Sequence, residues 1–208
     1  MIDSDDFDDG WEAYECGDNA VALALLKPLA EQGDAAAQNL VGLIHEAGQG
    51  SQDDAETLLV GVAEIMDLAK THNTPSGIPG KGAPRNYAEA LKWYRKTAEQ
   101  GLAKGQLNLG SMYEEGKGVA QDYTEALTWY RRAAEQGLAE AQCNLGMMYY
   151  YGLGVPQERI YSYMWFEIGA TFGSDRAKSS RDLMTNMTPD EIIAAKRMAR
   201  KWLEEHQQ

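Results

Sequence analysis

The sequence predicts an all-α fold assembled from stacked helix pairs, and internal repetition is the main reason. Residues 87–104 return 36 positions later at 123–140, with thirteen of the eighteen residues identical. The segments that follow the two copies, 105–119 and 141–155, also match each other. Self-similarity at a fixed period in this range is typical of helical repeat proteins. Such arrays build an extended surface rather than a catalytic pocket.

The first two predicted helices form a short pair at residues 7–15 and 20–32, joined at Gly17 and Asp18. Residues 29–33 then align with 97–101, which marks the end of a repeat. The next helix opens at Asp34 and places Gly42 in the position that Gly110 holds in the clear copy. The repeat pattern therefore extends to the N-terminal part of the chain.

An insertion at residues 51–84 interrupts the first repeat with about 32 residues beyond the normal link. Its first half has an apolar helical face and acidic residues at its start, so it predicts an extra amphipathic helix. The face consists of Leu58, Leu59, Val62, Ile65, Met66 and Ala69. The second half is rich in proline and glycine and predicts an exposed loop. The extra helix either packs on the edge of the array or contacts a partner.

Helix A, the first helix of each repeat, is predicted at about 105–115 and 141–151. Leucine, glycine and tyrosine occupy matching positions in the two copies: Leu109, Gly110 and Tyr113, then Leu145, Gly146 and Tyr149. Glycine inside a helix costs about 1 kcal/mol relative to alanine. Its repetition therefore predicts that neighbouring backbones approach closely. Paired glycines after each helix, Gly116 with Gly118 and Gly152 with Gly154, predict turns with positive φ.

Helix B, the second helix, is predicted at about 86–100, 122–136 and 157–172. Alanines and large aromatic residues recur there at helical spacing: Ala90, Trp93, Tyr94 and Ala98, then Ala126, Trp129, Tyr130 and Ala134. Rings set against alanines on one stripe favour a packed core over a ligand platform. Gly101 and Gly137 end the first two copies.

Two final helices are predicted at 175–186 and 189–207. Thr188 followed by Pro189 and acidic residues is a strong signal for a helix start. The last helix has an apolar stripe made by Ile192, Ala195, Met198, Ala199 and Leu203. Lys196, Arg197, Arg200, Lys201 and Glu204 lie largely off that stripe. A solvated capping helix explains this pattern best, and a basic partner-binding helix is the alternative.

The charge balance excludes several classes of partner. A net charge of −13 over 208 residues disfavours nucleic acid, whose phosphates need Lys and Arg, and anionic membrane surfaces. A basic partner, or solubility alone, fits better. No run of about 20 apolar residues predicts a membrane span. The acidic N-terminus does not resemble a secretory signal, so we expect a cytoplasmic protein.

Residues with catalytic or metal-binding chemistry are few. Cys16 and Cys143 lie far apart, which favours buried, reduced thiols. His45, His72 and His206 have no Cys or carboxylate partner at metal-ligand spacing, and His45 takes the position of Tyr113, as a packed side chain would. No known nucleophile motif occurs. We therefore expect no enzyme activity, no cofactor and no metal.

The combined pattern resembles the Sel-1-like repeat, a tetratricopeptide-related family, most strongly over 86–173 and more weakly over nearly the whole chain. The resemblance implies a right-handed superhelical solenoid of antiparallel helix pairs. It implies one domain over 1–208: a tetratricopeptide-like pair at 5–34, repeats at 35–104, 105–140 and 141–176, and capping helices at 177–208. Secreted members carry paired cysteines in each repeat. This chain lacks them, which supports a reducing compartment.

The resemblance also implies an adaptor, a monomer or weak homo-oligomer, that binds a protein or peptide in a groove lined by helix A. The candidate contact residues lie off the Leu-Gly-Tyr positions: Leu43, Ile44, Asn108, Ser111, Met112, Glu115, Asn144, Met147, Met148 and Tyr151. Asparagine can hydrogen-bond a peptide backbone, and Met, Ile and Tyr supply apolar contact. Met112 and Met148 could instead pack against the next repeat. The competing function is an immunity or inhibitor protein that neutralises a bacterial toxin or secreted effector.

Overall fold

The computed structural model describes residues 4–48 and 85–206, which form ten α-helices and no strand. The helices of the N-terminal part are α1 (Ser4–Glu15), α2 (Asn19–Glu31), α3 (Ala35–Ala47) and α4 (Tyr87–Glu99). They are followed by α5 (Ala103–Glu115), α6 (Tyr123–Glu135), α7 (Ala139–Tyr151), α8 (Arg159–Thr171), α9 (Asp175–Asp182) and α10 (Pro189–His206). The predicted all-α class is confirmed. The helix and loop predicted at 51–84 lie outside the described residues.

Contacts divide the chain into two compact units, Met1–Gln100 and Gly101–Gln208. Within the first unit, α1 packs on α2, α2 on α3 and α3 on α4. Within the second unit, helices α5 to α8 pack in succession, and α8 also contacts α9 and α10. Consecutive helices therefore form the pairs that the repeat pattern predicts.

Side-chain caps set several helix starts. Asp34 accepts a hydrogen bond from the Ala37 backbone N–H at 2.7 Å, and Asn86 accepts one from Glu89 at 3.1 Å. At α10, the Thr188 hydroxyl accepts from the Glu191 backbone N–H at 3.3 Å, while Glu191 accepts from the Thr188 N–H at 2.8 Å. This reciprocal pair is a capping box, and it lowers the pKa of Glu191 chiefly through the Thr188 backbone N–H.

Helix ends differ from the sequence prediction by two to four residues at five places, two of which are the starts of α7, at Ala139 rather than residue 141, and of α8, at Arg159 rather than residue 157. Helix α1 begins at Ser4 rather than at residue 7, and α5 begins at Ala103 rather than at residue 105. Helix α9 ends at Asp182, before the predicted residue 186. The turn glycines behave as predicted, with φ of 69° at Gly116 and 70° at Gly152.

The helix A glycines lie against aromatic rings of helix B. A Cβ atom placed on Gly110 would come within 2.7 Å of Tyr130 Cδ1, and one on Gly146 within 2.5 Å of Phe166 Cδ1. Both rings are at most 1% exposed. The predicted close approach exists, but it joins a helix backbone to a side-chain ring rather than two backbones. The ring of helix B fills the space that the missing glycine side chain leaves.

The first repeat closes in the same way as the other repeats despite its insertion. The Asn86 N–H donates to the His45 carbonyl at 2.7 Å. The equivalent bonds join Asp122 to Tyr113 at 2.9 Å and Glu158 to Tyr149 at 3.0 Å. The link between α3 and α4 thus begins and ends at the positions that a normal repeat uses.

Candidate protein-binding face

We define the helix A face as the surface of the second unit formed by six predicted residues and two further ones. The predicted residues are Asn108, Ser111, Glu115, Asn144, Met147 and Tyr151, on α5 and α7. Glu115 and Tyr151 are exposed, and the other four are partly exposed. The further residues, Arg176 and Leu183, are described below. In the first unit, the predicted Leu43 is also partly exposed.

Three predicted contact residues are interior instead. Ile44, Met112 and Met148 are each 0% exposed. Each lies three positions after a core residue of its own helix, since Met112 follows Leu109 and Met148 follows Leu145. Residues at that spacing share a helix face. The prediction of a surface role was therefore wrong for these three, and the packing alternative is correct.

The repeat continues into α9 and brings Leu183 to the helix A face. Ala177 and Met184 are buried, as are Ala141 and Met148 one period earlier. Leu183 is 80% exposed and lies 36 positions after Met147. Sequence reasoning missed it, although adding one period to Met147 locates it.

A polar contact connects α9 to α7 on this face. The Arg176 guanidinium donates from Nη1 to the Asn144 Oδ1 atom at 3.2 Å. This bond orients the Asn144 side chain and leaves its amide N–H groups as donors. The apolar Met147 follows Asn144 by one turn of α7. The face therefore combines one oriented amide with apolar surface.

The end of α5 is the acidic edge of the face. Glu115 forms an ion pair with Lys117 at 2.7 Å and accepts a hydrogen bond from the Ser111 hydroxyl at 3.0 Å. The bond from Lys117, followed by the bond from Ser111, lowers the pKa of Glu115. Glu115 is therefore ionised but has its charge partly balanced by Lys117.

Aromatic side chains cluster at the end of α7. The ring of Tyr151, 60% exposed, meets the Tyr150 ring edge-on at 5.0 Å. The Tyr149 ring stacks on Tyr161 at 5.3 Å, and Arg131 Nη2 donates to the Tyr149 hydroxyl at 3.1 Å. Tyrosine offers large contact area at little entropic cost because it has few rotatable bonds.

Comparison with known families identifies the repeat. The Sel1 repeat model matches residues 35–56, 78–102, 103–138 and 139–171, more than half of the chain. The chain belongs to the Sel1 repeat family. Sel1 repeat proteins generally act as protein–protein interaction scaffolds, and the fold is generally non-catalytic.

Two solved Sel1-type structures resemble this chain. The Sel1 repeat protein from Oxalobacter formigenes is 27% identical, with a TM-score of 0.67 over 96% of this chain and 69% of that one. The second is c5321, a protective antigen present in uropathogenic Escherichia coli strains that displays an SLR fold. It is 27% identical, with a TM-score of 0.58 over 97% of this chain and 45% of its own. A comparison with curated proteins found no match.

Two Sel1 repeats of this chain share a partly buried hydrogen bond that sequence reasoning missed. Tyr94 donates to Glu46 Oε2 at 2.8 Å, and Tyr130 donates to Glu114 Oε2 at 2.5 Å. Burial, together with the neighbouring carboxylate, raises the pKa of both tyrosines well above the ordinary value. The third repeat has Phe166 in place of the tyrosine. The bond joins the last turn of helix A to helix B in each of the two repeats.

The histidines and cysteines considered in the sequence analysis lie in different environments. His45 is partly buried, which lowers its pKa, and its Nδ1 atom is buried with no hydrogen-bond partner among the described residues. Cys143 is buried, but Cys16 is exposed, so the prediction of two buried thiols was wrong for Cys16. Cys16 follows the last residue of α1, Glu15, and lies in the turn before α2. His72 lies outside the described residues.

Metal binding, membrane insertion and a surface depression complete the description of the structure. Over residues 4–48 and 85–206, no group of three or more His, Cys, Asp or Glu side chains could hold a metal ion. No helix in that part of the chain is long and apolar enough to cross a membrane. A polar depression of about 460 Å³ beside α8 contains the ion pair between Arg159 and Glu191, at 3.5 Å.

Proposed function

We propose that this Sel1 repeat chain is an adaptor that binds a protein or peptide segment on the helix A face of its second unit. The observation that carries the proposal is the exposure of Tyr151 and Leu183, at 60% and 80%, at positions where the repeat presents helix A outward. Met147 lies at the position equivalent to Leu183 and extends the apolar surface.

The composition of the face supports binding rather than chance exposure. Single exposed apolar residues are normal on protein surfaces. Here Met147 and Leu183 are 36 residues apart, and Met147 follows Asn144, the acceptor of the Arg176 hydrogen bond, by one helical turn. Tyr, Met and Arg are enriched in protein interfaces. An extended peptide could place side chains against Met147 and Leu183 while the Asn144 amide N–H groups hydrogen-bond its backbone.

Affinity capture from native lysate, followed by mass spectrometry, tests this proposal. A Tyr151→Ser/Leu183→Ser variant should lose the captured partner, and Asn108→Ala/Asn144→Ala should weaken its capture without a large loss of thermal stability. The matched control is Phe172→Ser/Ile193→Ser, which removes one exposed aromatic residue and one exposed aliphatic residue away from the helix A face. If the face variants and the control retain the partner equally, the binding site lies elsewhere.

The net charge of −13 favours a second candidate, an inhibitor or immunity protein that covers a basic site on a toxic enzyme. A captured partner that is an enzyme, and that loses activity when the purified chain is added, would favour this candidate. An active partner in the bound state would favour the adaptor.

A further inference from the structure

The exposed side of α10 is basic, although the chain as a whole is acidic. Lys196, Arg197, Arg200 and Lys201 are all exposed within about two turns of helix. Of these four cations, only Lys201 forms an ion pair with a described residue, Glu205, at 3.7 Å. Ile193, one turn before Arg197, is 65% exposed. This side of α10 carries four cations, one of them ion-paired, with the exposed Ile193 and the exposed Glu204 beside them.

The opposite side of α10 holds the helix firmly on its unit. Ala195 and Ala199 are at most 1% exposed. Trp202 packs edge-on against Trp165 with ring centroids 5.5 Å apart. The basic side is therefore presented by a rigid helix, and a partner would not have to order it on binding.

Helix α1 has the complementary character. Its sequence contains no basic residue, and Asp8, Glu12 and Glu15 are exposed at spacings of four and three, on one side of the helix. Trp11 is 41% exposed beside them. None of these three carboxylates forms an ion pair with a described residue. Gly10 lies on the other side, where an added Cβ would come within 2.7 Å of Leu26 Cγ.

We propose that α10 of one molecule docks on α1 of a second copy of this chain. The contact would set Lys196, Arg197 and Arg200 against the three carboxylates, with Trp11 beside an arginine and Ile193 covered. Where one such contact joins two molecules, each of them keeps one docking helix that can bind a further copy. Self-association should therefore continue beyond a dimer as concentration rises.

Sedimentation of the full chain over a range of concentration and salt tests this. At low ionic strength the mean mass should rise with concentration above the 23.0 kDa of one chain. It should fall back towards that value at about 1 M salt, where the Debye length is about 3 Å. A chain that stays monomeric at every concentration and at low salt would overturn the proposal.

Charge reversal identifies the surfaces. Arg197→Glu/Arg200→Glu and Asp8→Lys/Glu12→Lys should each weaken self-association by at least about tenfold. Lys104→Glu/Lys178→Glu makes the same change in net charge as the first variant at exposed positions off α10, and should associate like the unchanged chain. Equal weakening by Arg197→Glu/Arg200→Glu and Lys104→Glu/Lys178→Glu would mean that net charge, not docking, governs association.

Mixing the two charge-reversed variants is the most specific test. The reversed α10 of the first variant should bind the reversed α1 of the second, and the unchanged α10 of the second should bind the unchanged α1 of the first, giving a mixed assembly that neither variant forms alone. Failure to form it while both variants stay folded would overturn the proposal. The proposal would also be overturned if Arg197→Glu/Arg200→Glu abolished binding to phosphatidylserine vesicles or to duplex DNA but left self-association unchanged.

Discussion

Tyr130 reaches across from α6 to α5 and donates a hydrogen bond to Glu114 at 2.5 Å. The same bond joins Tyr94 to Glu46 in the first unit, and in both cases the ring also covers the helix A glycine. One side chain thus fills the gap over the glycine and anchors the end of helix A. Three of the predictions below concern this arrangement and its surroundings.

Removing the hydroxyl should destabilise the second unit. Tyr130→Phe leaves the partly buried Glu114 carboxylate without its donor, and we expect a loss of about 1–2 kcal/mol in the free energy of unfolding. Urea unfolding measures it. In a double-mutant cycle with Glu114→Ala, the two losses should be less than additive. Additive losses would show that the bond contributes nothing of its own.

Stability should fall at alkaline pH because of the same tyrosines. Their pKa is raised in the folded state, while an unfolded tyrosine ionises near about pH 10. Above that pH the unfolded chain binds fewer protons than the folded one, so the free energy of unfolding decreases as pH rises. Urea unfolding of Tyr94→Phe/Tyr130→Phe should show a shallower decrease between about pH 9 and pH 11. A decrease as steep as in the unchanged chain would contradict this.

Filling the glycine position should overpack the core. A methyl group at Gly110 would meet the Tyr130 ring at 2.7 Å, so Gly110→Ala should cost about 1–3 kcal/mol despite the higher helix propensity of alanine. Thermal unfolding measures the change. Ser111→Ala, one position later and partly exposed, serves as the control and should change stability by no more than about 0.5 kcal/mol. A stabilising Gly110→Ala would show that the ring moves aside freely.

The fold should survive removal of residues 52–80 with a short linker in their place. Gly48 lies directly against Arg85, and Arg85 donates to the Ala47 carbonyl at 3.2 Å. With the Asn86–His45 bond, these contacts close the first repeat from outside the removed segment. We expect a cooperative thermal transition within a few degrees of the unchanged chain. Loss of the cooperative transition would contradict it. If capture of the partner is lost while the fold is kept, the insertion contacts the partner.

Much of the fold was predictable because the repeat aligns equivalent residues. Tyr94 and Tyr130 stand in equivalent copies and are both buried, as expected from their stripe. The Glu46–Tyr94 bond was not predictable, since a glutamate near a helix end is usually a solvated charge and its partner lies 48 residues away. Of the predicted contact residues, Ile44, Met112 and Met148 are buried because each lies three positions after a core residue, on the same side of its helix.

The sequence by itself determined the helix pairs, the repeat period and the family, because these follow from local spacing and from comparison of copies within one chain. Only the tertiary structure decided which side of each helix is covered. It showed that the glycine of helix A is matched to a ring, that Leu183 is exposed, and that the first repeat closes at His45 and Asn86. Those facts depend on contacts between residues far apart in the chain, where packing and hydrogen bonding, not local propensity, determine the outcome.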